Sequence, residues 1–146
     1  MQRRPPWFYK QSAVIPFRFE QDKLNVMLIT SRNRKRWIIP KGIIERDMTP
    51  AESGQREAFE EAGLRGRVSR KPIGTYRYRK WGDTCEVQVF LLKVEQVLDE
   101  WPESSVRQRR WATVEEAANL VKEEELGTLI RNLPLYSQVD DLSSQS

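Results

Sequence analysis

The chain has no histidine and a single cysteine, Cys85, among its 146 residues. Without histidine there is no Ser–His triad, no histidine general base and no histidine-ligated zinc. Acid–base or metal chemistry must therefore fall to carboxylates, lysines and tyrosines. One cysteine excludes an internal disulfide, which fits a reducing, cytoplasmic setting. No apolar run approaches the roughly 18 residues of a membrane span, and the basic start MQRRPPWFYK lacks the apolar stretch of a secretory signal. No internal repeat or linker divides the sequence. With 38% hydrophobic residues, it reads as one domain of residues 1–146 with a core over about 10–136. A chain of this size can bury about 70% of its extended surface without staples. The polar, acidic, serine-rich tail 137–146 is expected to be disordered.

Charge is unevenly placed. Lys and Arg number 25 against 21 Asp and Glu, for a net +4. Many acids fall in two clusters, Glu57 to Glu61 and Glu123 to Glu125, so the rest of the surface is more basic than the total suggests. Such a surface suits a phosphate-rich small molecule or a nucleic acid. No RNA-binding motif is present, which leaves an RNA 5′ end as the one nucleic-acid partner with electrostatic support.

The stretch from Gly42 to Leu64 organises the chain. Thr49 followed by Pro50 and Glu52 is a capping box with proline at the first helical position, and Gly63 supplies a left-handed stop. On the helix between them Glu57, Glu60 and Glu61 stand at i, i+3 and i+4 and crowd one side. Ala51, Ala58, Phe59 and Ala62 project to the other side. By themselves the glutamates read as a solvated acidic face. Their mutual repulsion calls for something positive, either Arg56 or a divalent cation, since Mg²⁺ takes one or two carboxylates beside substrate phosphates.

Before this helix, Ser12 to Phe19 and Leu24 to Ser31 read as strands joined by a turn at Glu20 to Lys23. Pro16 places the first strand at an edge or at a bulge. The loop Ser31 to Lys41 carries Arg32, Arg34, Lys35 and Arg36, and arginine holds phosphate oxygens in bidentate fashion. After the helix, Ile73 to Lys80 and Glu86 to Val94 read as a hairpin around Trp81-Gly82-Asp83. Tyr76 and Tyr78 then share one face, while Arg77 and Arg79 share the other, joined in charge by Lys80. Arg107 to Trp111 reads as a last strand. Thr113 and Glu116 form a second capping box that opens a helix to about Leu126, and Leu129 to Tyr136 extends it until Pro134. This pattern predicts an α+β domain, a mixed sheet with helices on its faces.

Gly42, Arg56-Glu57-Ala58, Glu60-Glu61 and Gly63-Leu64 resemble the Nudix signature: Gly, five residues, Glu, seven residues, Arg-Glu-aliphatic-any-Glu-Glu-any-Gly-aliphatic. Each fixed position matches except Met48, which stands for the first Glu; Glu45 is a nearby carboxylate. The flanks Leu28 to Arg32, Arg36 to Lys41, Val97 to Trp101, Arg109 to Trp111 and Glu115 to Ala117 resemble the diphosphoinositol polyphosphate phosphohydrolase branch.

The resemblance implies a Nudix α/β/α sandwich and metal-dependent hydrolysis of a phosphoanhydride bond. A diphosphoinositol polyphosphate or diadenosine polyphosphate is the implied substrate. A nucleoside triphosphate, an RNA 5′ end, or non-catalytic polyphosphate binding (because of Met48) are the alternatives. It also implies Mg²⁺ or Mn²⁺ held by Glu57, Glu61 and the carbonyl at Gly42, an acid–base role for Glu60, and an Arg56 that braces the glutamates. Lys10, Arg18, Ser31, Arg32 and Arg109 fall where that branch meets substrate phosphates. Arg36, Lys41, Arg77 and Arg79 join them by charge. A base-bearing substrate would want an aromatic surface, for which Trp37, Tyr78 and Trp81 are available. The protein is expected to be a monomer or homodimer.

Overall fold

A computed structural model describes residues 10–80, 82–136 and 142–143. The basic start before Lys10, Trp81 and most of the tail lie outside the described residues. Nine strands form one mixed sheet: β1 (Lys10–Glu20), β2 (Lys23–Thr30), β3 (Trp37–Ile38), β4 (Lys41–Ile43), β5 (Leu64–Ser69), β6 (Gly74–Lys80), β7 (Asp83–Val97), β8 (Arg109–Thr113) and β9 (Leu142–Ser143). The helices are α1 (Pro50–Ala62), α2 (Val114–Leu120), α3 (Glu124–Arg131) and α4 (Leu133–Tyr136). The sheet runs β3-β2-β1-β7-β5-β9, with β4 also on β1, β6 on β7 and β8 on β2. β1 and β7 are parallel; the other pairings are antiparallel.

The sheet is buried on both faces, which gives the α/β/α sandwich. Ala13, Ile15, Phe17, Val26, Leu28 and Val89 meet α2 and α3 through Ala117, Leu126 and Ile130. Val14, Met27, Ile29, Phe90 and Leu92 meet α1 through Ala58 and Ala62. Alternation along β1 sends successive side chains to opposite cores. Because both faces are covered, β1 reads as a continuous apolar run rather than an alternating one.

β1 lies inside the sheet rather than at its edge, and Pro16 explains how. Val14 donates its N–H to Pro40 O, toward the β4 side. Pro16 has the same parity, so its missing donor faces that side too. There β4 pairs only with Gln11 to Ala13 and β2 only from Phe17 onward. The proline occupies the gap between two partners, where no ladder bond is lost. The β1–β2 turn is tighter than its four-residue reading. Gln21 and Asp22 alone form it, both at positive φ (52° and 64°), as a two-residue hairpin turn requires.

Two further readings are corrected. The second helix does not run from Val114 to Leu126. Val121 turns to extended backbone (φ −77°, ψ 147°) and α3 restarts at Glu124, so that Ala117, Val121, Leu126 and Ile130 all reach one core. Pro134 does not end a helix but sits in the first turn of α4, where its missing N–H has no intrahelical partner to lose. In the tail, Leu142 and Ser143 pair with Ser69 and Val68.

Candidate active site

α1 is built as its sequence specifies. The Thr49 side chain accepts from Glu52 N, the Glu52 carboxylate accepts from Thr49 N, and Pro50 takes the first turn. At the far end Gly63 is left-handed (φ 66°) and its N–H reaches Phe59 O. Ser12 Oγ on β1 donates to Pro50 O and fixes the start of the helix against the sheet. The buried stripe includes Gly54, Ala58 and Ala62, and Glu61 lies at its margin and is buried as well. The acidic face is therefore not uniformly solvated: Glu61 is 8% exposed. Phe59, read as a core residue, is only half-buried and carries the Arg65 guanidinium over its ring.

Gly42 sits opposite Ser12 on β4. A Cβ there would overlap the Glu57 carboxyl at Oε2 and Cδ. Absence of a side chain thus lets Glu57 lie against the strand. Beside it, Glu61 Oε1 accepts from Lys41 N at 3.1 Å. Burial, then the charges of Glu61 and Glu60 and a hydrogen bond with Glu61, push the Glu57 carboxyl up to about 8. Burial likewise raises Glu61 to about 7, against the pull of the Arg107 guanidinium.

Positive partners surround this pair. Arg56 Nε meets Glu60 at 2.9 Å on the outer face. Arg107, read in the sequence only as part of a strand, is the buried counter-charge. It is 3.6 Å from Glu61 and 2.9 Å from Glu103, and donates to Thr30 O at 3.0 Å. Glu103 was also missed, because a lone glutamate in a loop carries no periodic signal; its N–H binds Glu60 O.

The basic loop links this acid pair to a cleft on the opposite face of the sheet. Ser31 Oγ accepts from Arg36 N and donates to Asn33, ordering the loop. Arg32 reaches Glu103 at 3.6 Å and Arg36 reaches Glu123 at 3.8 Å. The cleft has a volume of about 590 Å³. Arg36, Lys41, Arg77 and Arg79 line it, together with Tyr76 and Tyr78. Lys41 Nζ lies 4.8 Å from the Tyr78 ring centroid, and burial lowers its pKa although Glu61 opposes this. Tyr78 donates its O–H to Gln11 Oε1 at 2.8 Å. Burial, then Cys85, pushes Tyr78 up to about 12, so it remains a neutral donor. Arg77 is shared with Glu125, and Arg79 with Gly82 O.

Arg18 and Arg109, both expected near substrate phosphates, have partners within the chain. Arg18 lies eight residues along β1 from Lys10, roughly 26 Å at strand rise. Its guanidinium stacks on Trp111 at 3.9 Å and pairs with Glu20. Arg109 donates to Ala62 O at 3.0 Å and Leu98 O at 2.8 Å and stacks on Trp101 at 3.8 Å. A cation there satisfies the carbonyl end of α1, so Arg109 seats the end of the helix. Lys10 is exposed at the start of β1, where its carbonyl accepts from Ile44 N.

Among the described residues no group of three or more Asp, Glu or Cys is arranged to hold a metal. Two carboxylates with a nearby peptide carbonyl nevertheless fit a magnesium-type ion, which takes its other oxygens from water and substrate phosphates. The half-buried Glu57 carboxyl packed against Gly42 beside the buried Glu61, with both acids pushed up by burial and by their closeness to other carboxylates, supports this fit.

The chain is similar to several known proteins. The chain is 40% identical over 111 residues to "Nudix hydrolase 12, mitochondrial" of Arabidopsis thaliana, an alignment covering 70% of this chain and 55% of that protein. It thus spans about half the length of that relative. With the human "Diphosphoinositol polyphosphate phosphohydrolase 3-alpha" it is 32% identical over 120 residues, covering 81% of this chain and 72% of the other. In fold it resembles the crystal structure of C. elegans Ap4A hydrolase, with a TM-score of 0.73 at 21% identity over 88% of this chain and 98% of that one. The family model for the NUDIX domain matches residues 9–139, and with the acid-bearing helix seated on Gly42 in an α/β/α sandwich, the chain belongs to the Nudix family.

Proposed function

We propose that the chain is a divalent-cation-dependent pyrophosphohydrolase that cleaves a phosphoanhydride bond in a compact, multiply phosphorylated molecule. The observation that carries this reading is Lys41 on β4, whose backbone N–H binds the buried Glu61 carboxylate beside Glu57 while its side chain lines the cleft with Arg36, Arg77 and Arg79. Glu57, Glu61 and the carbonyl at Gly42 would hold Mg²⁺ or Mn²⁺. Such an ion neutralises phosphate charge and acidifies water. Glu60, one turn from Glu57 and oriented by Arg56, accepts a proton from the attacking water at its carboxylate. Arg36, Lys41 and Arg79 hold phosphate oxygens in the cleft and orient the bond to be broken. Arg32 stands over the acid end through Glu103.

An inositol-type polyphosphate suits the cleft better than a nucleotide. The near face of Tyr78 carries Lys41, and Trp37 lies under Arg110 at 5.9 Å, so both rings are engaged by cations. Met48 lies in the turn before α1, bonded through its N–H to Glu45 O, and leaves the three helical glutamates in place. This favours catalysis over mere binding.

Phosphate release with Mg²⁺ or Mn²⁺ from a diphosphoinositol polyphosphate, a diadenosine polyphosphate and a nucleoside triphosphate tests the reading. Turnover is expected, fastest on the first. Glu61→Gln is expected to lower it by about a hundredfold or more while the folded state persists. Normal turnover in that variant would sink the assigned site.

A further inference from the structure

Glu123 stands where α2 and α3 separate. It is the N-cap of α3, a position that favours short side chains able to reach the free N–H groups. Glu123 makes no such bond; its backbone carbonyl accepts from Gly127 N. The side chain turns into the cleft instead and is only 17% exposed. Among the described residues that line the cleft it is the one carboxylate. It lies 3.8 Å from Arg36 Nη1, and its charge acts on Lys41, Tyr76 and Tyr78. That separation is too long for a hydrogen bond, and Arg36 is itself half exposed, so attraction without a fixed fork holds the two together.

We propose that Glu123 is a displaceable internal counterion, a carboxylate that occupies the anion position beside Arg36 and Lys41 and yields it to a substrate phosphate. The inference rests on the cleft being the polyphosphate site. A competing anion carried by the chain lowers the population of open cleft, and every phosphate ligand loses affinity by that same fraction. Ligands with many phosphate contacts still bind. Orthophosphate, with few, does not hold the cleft and leaves readily as product.

Calorimetric titration of the full chain with tripolyphosphate and with orthophosphate, in the absence of divalent cations, tests the idea without requiring turnover. Glu123→Gln is expected to bind tripolyphosphate about tenfold more tightly and to bring orthophosphate into measurable range. Glu115→Gln, which removes the same charge from the exposed outer face of α2, is expected to stay within about twofold of the parent. Glu123→Asp keeps the charge with a shorter reach and should fall between Gln and the parent, a guard against a folding defect in one variant. Unchanged or weaker binding by Glu123→Gln overturns the counterion. Tighter binding by that variant, with no turnover on the substrate panel, sustains the counterion and sinks the hydrolase reading. Failure of both parent and variant to bind tripolyphosphate overturns the cleft as a phosphate site and the counterion with it.

Discussion

Gly42 leaves a space that the Glu57 carboxyl fills. Neither conformational freedom nor a turn demands glycine there; the close approach of an acid does. Gly42→Ala would push that carboxyl off the strand, and a displacement of about 1 Å at a reacting centre costs on the order of a hundredfold in rate. The expected result is turnover reduced by that order with the melting temperature nearly kept, read by phosphate release and circular dichroism. Retained turnover would mean that Glu57 does not need its seat. Arg107 shows the complementary principle: its guanidinium, 7% exposed, joins Glu61, Glu103 and the β2 backbone. Removing one partner of such a buried network leaves the others uncompensated.

At the scale of elements, α1 is fastened at both ends by residues that do no chemistry. Its start has the capping box and Ser12; its end has Gly63, Trp101 and Arg109, with Trp101 Nε1 donating to Glu61 O. Gly63→Ala would place a Cβ 2.9 Å from Trp101 carbons at φ 66°, a backbone region that costs an L-residue about 1–2 kcal/mol. A loss of at least that size is expected in denaturant titration, together with weaker metal binding as Glu61 shifts. This helix was legible in the sequence because caps, periodicity and a 23-residue spacing all act locally. The β6–β7 hairpin was legible for the same reason, from alternation around a turn. The interior place of β1, the break before α3 and the Arg107 network were not. Each depends on a partner brought in from elsewhere in the chain: β4 and β2 flanking Pro16, the one core that both α2 and α3 must reach, and Glu61 of α1 beside Arg107. The contacts of Arg18 with Trp111 and of Arg109 with Trp101 and Ala62 O were not legible either, since the resemblance that singled out both arginines names no partner within the chain.

For the whole molecule, the acid pair ties stability to pH. An unfolded carboxyl loses its proton near 4.5, while Glu57 in the fold keeps its own to about 8 and Glu61 to about 7. Between those limits the native state binds more protons than the unfolded chain, so stability falls as pH rises through that window. The EDTA-treated chain should melt at a lower temperature at about pH 8.5 than at about pH 5.5, and added Mg²⁺ should raise the upper value more, since binding displaces protons. A melting point that climbs over that range without metal would contradict the buried pair. The same sheet that seats the acids also governs when they can be seated. β4 hangs on β1, and Lys10 to Phe17 of β1 pair in parallel with Glu86 to Lys93 of β7. Contacts so distant along the chain must close a large loop before they are rewarded, which slows folding. During synthesis α1 leaves the ribosome well before its platform is finished. Until β7 follows, its glutamates stand in water as separate, ordinary carboxylates.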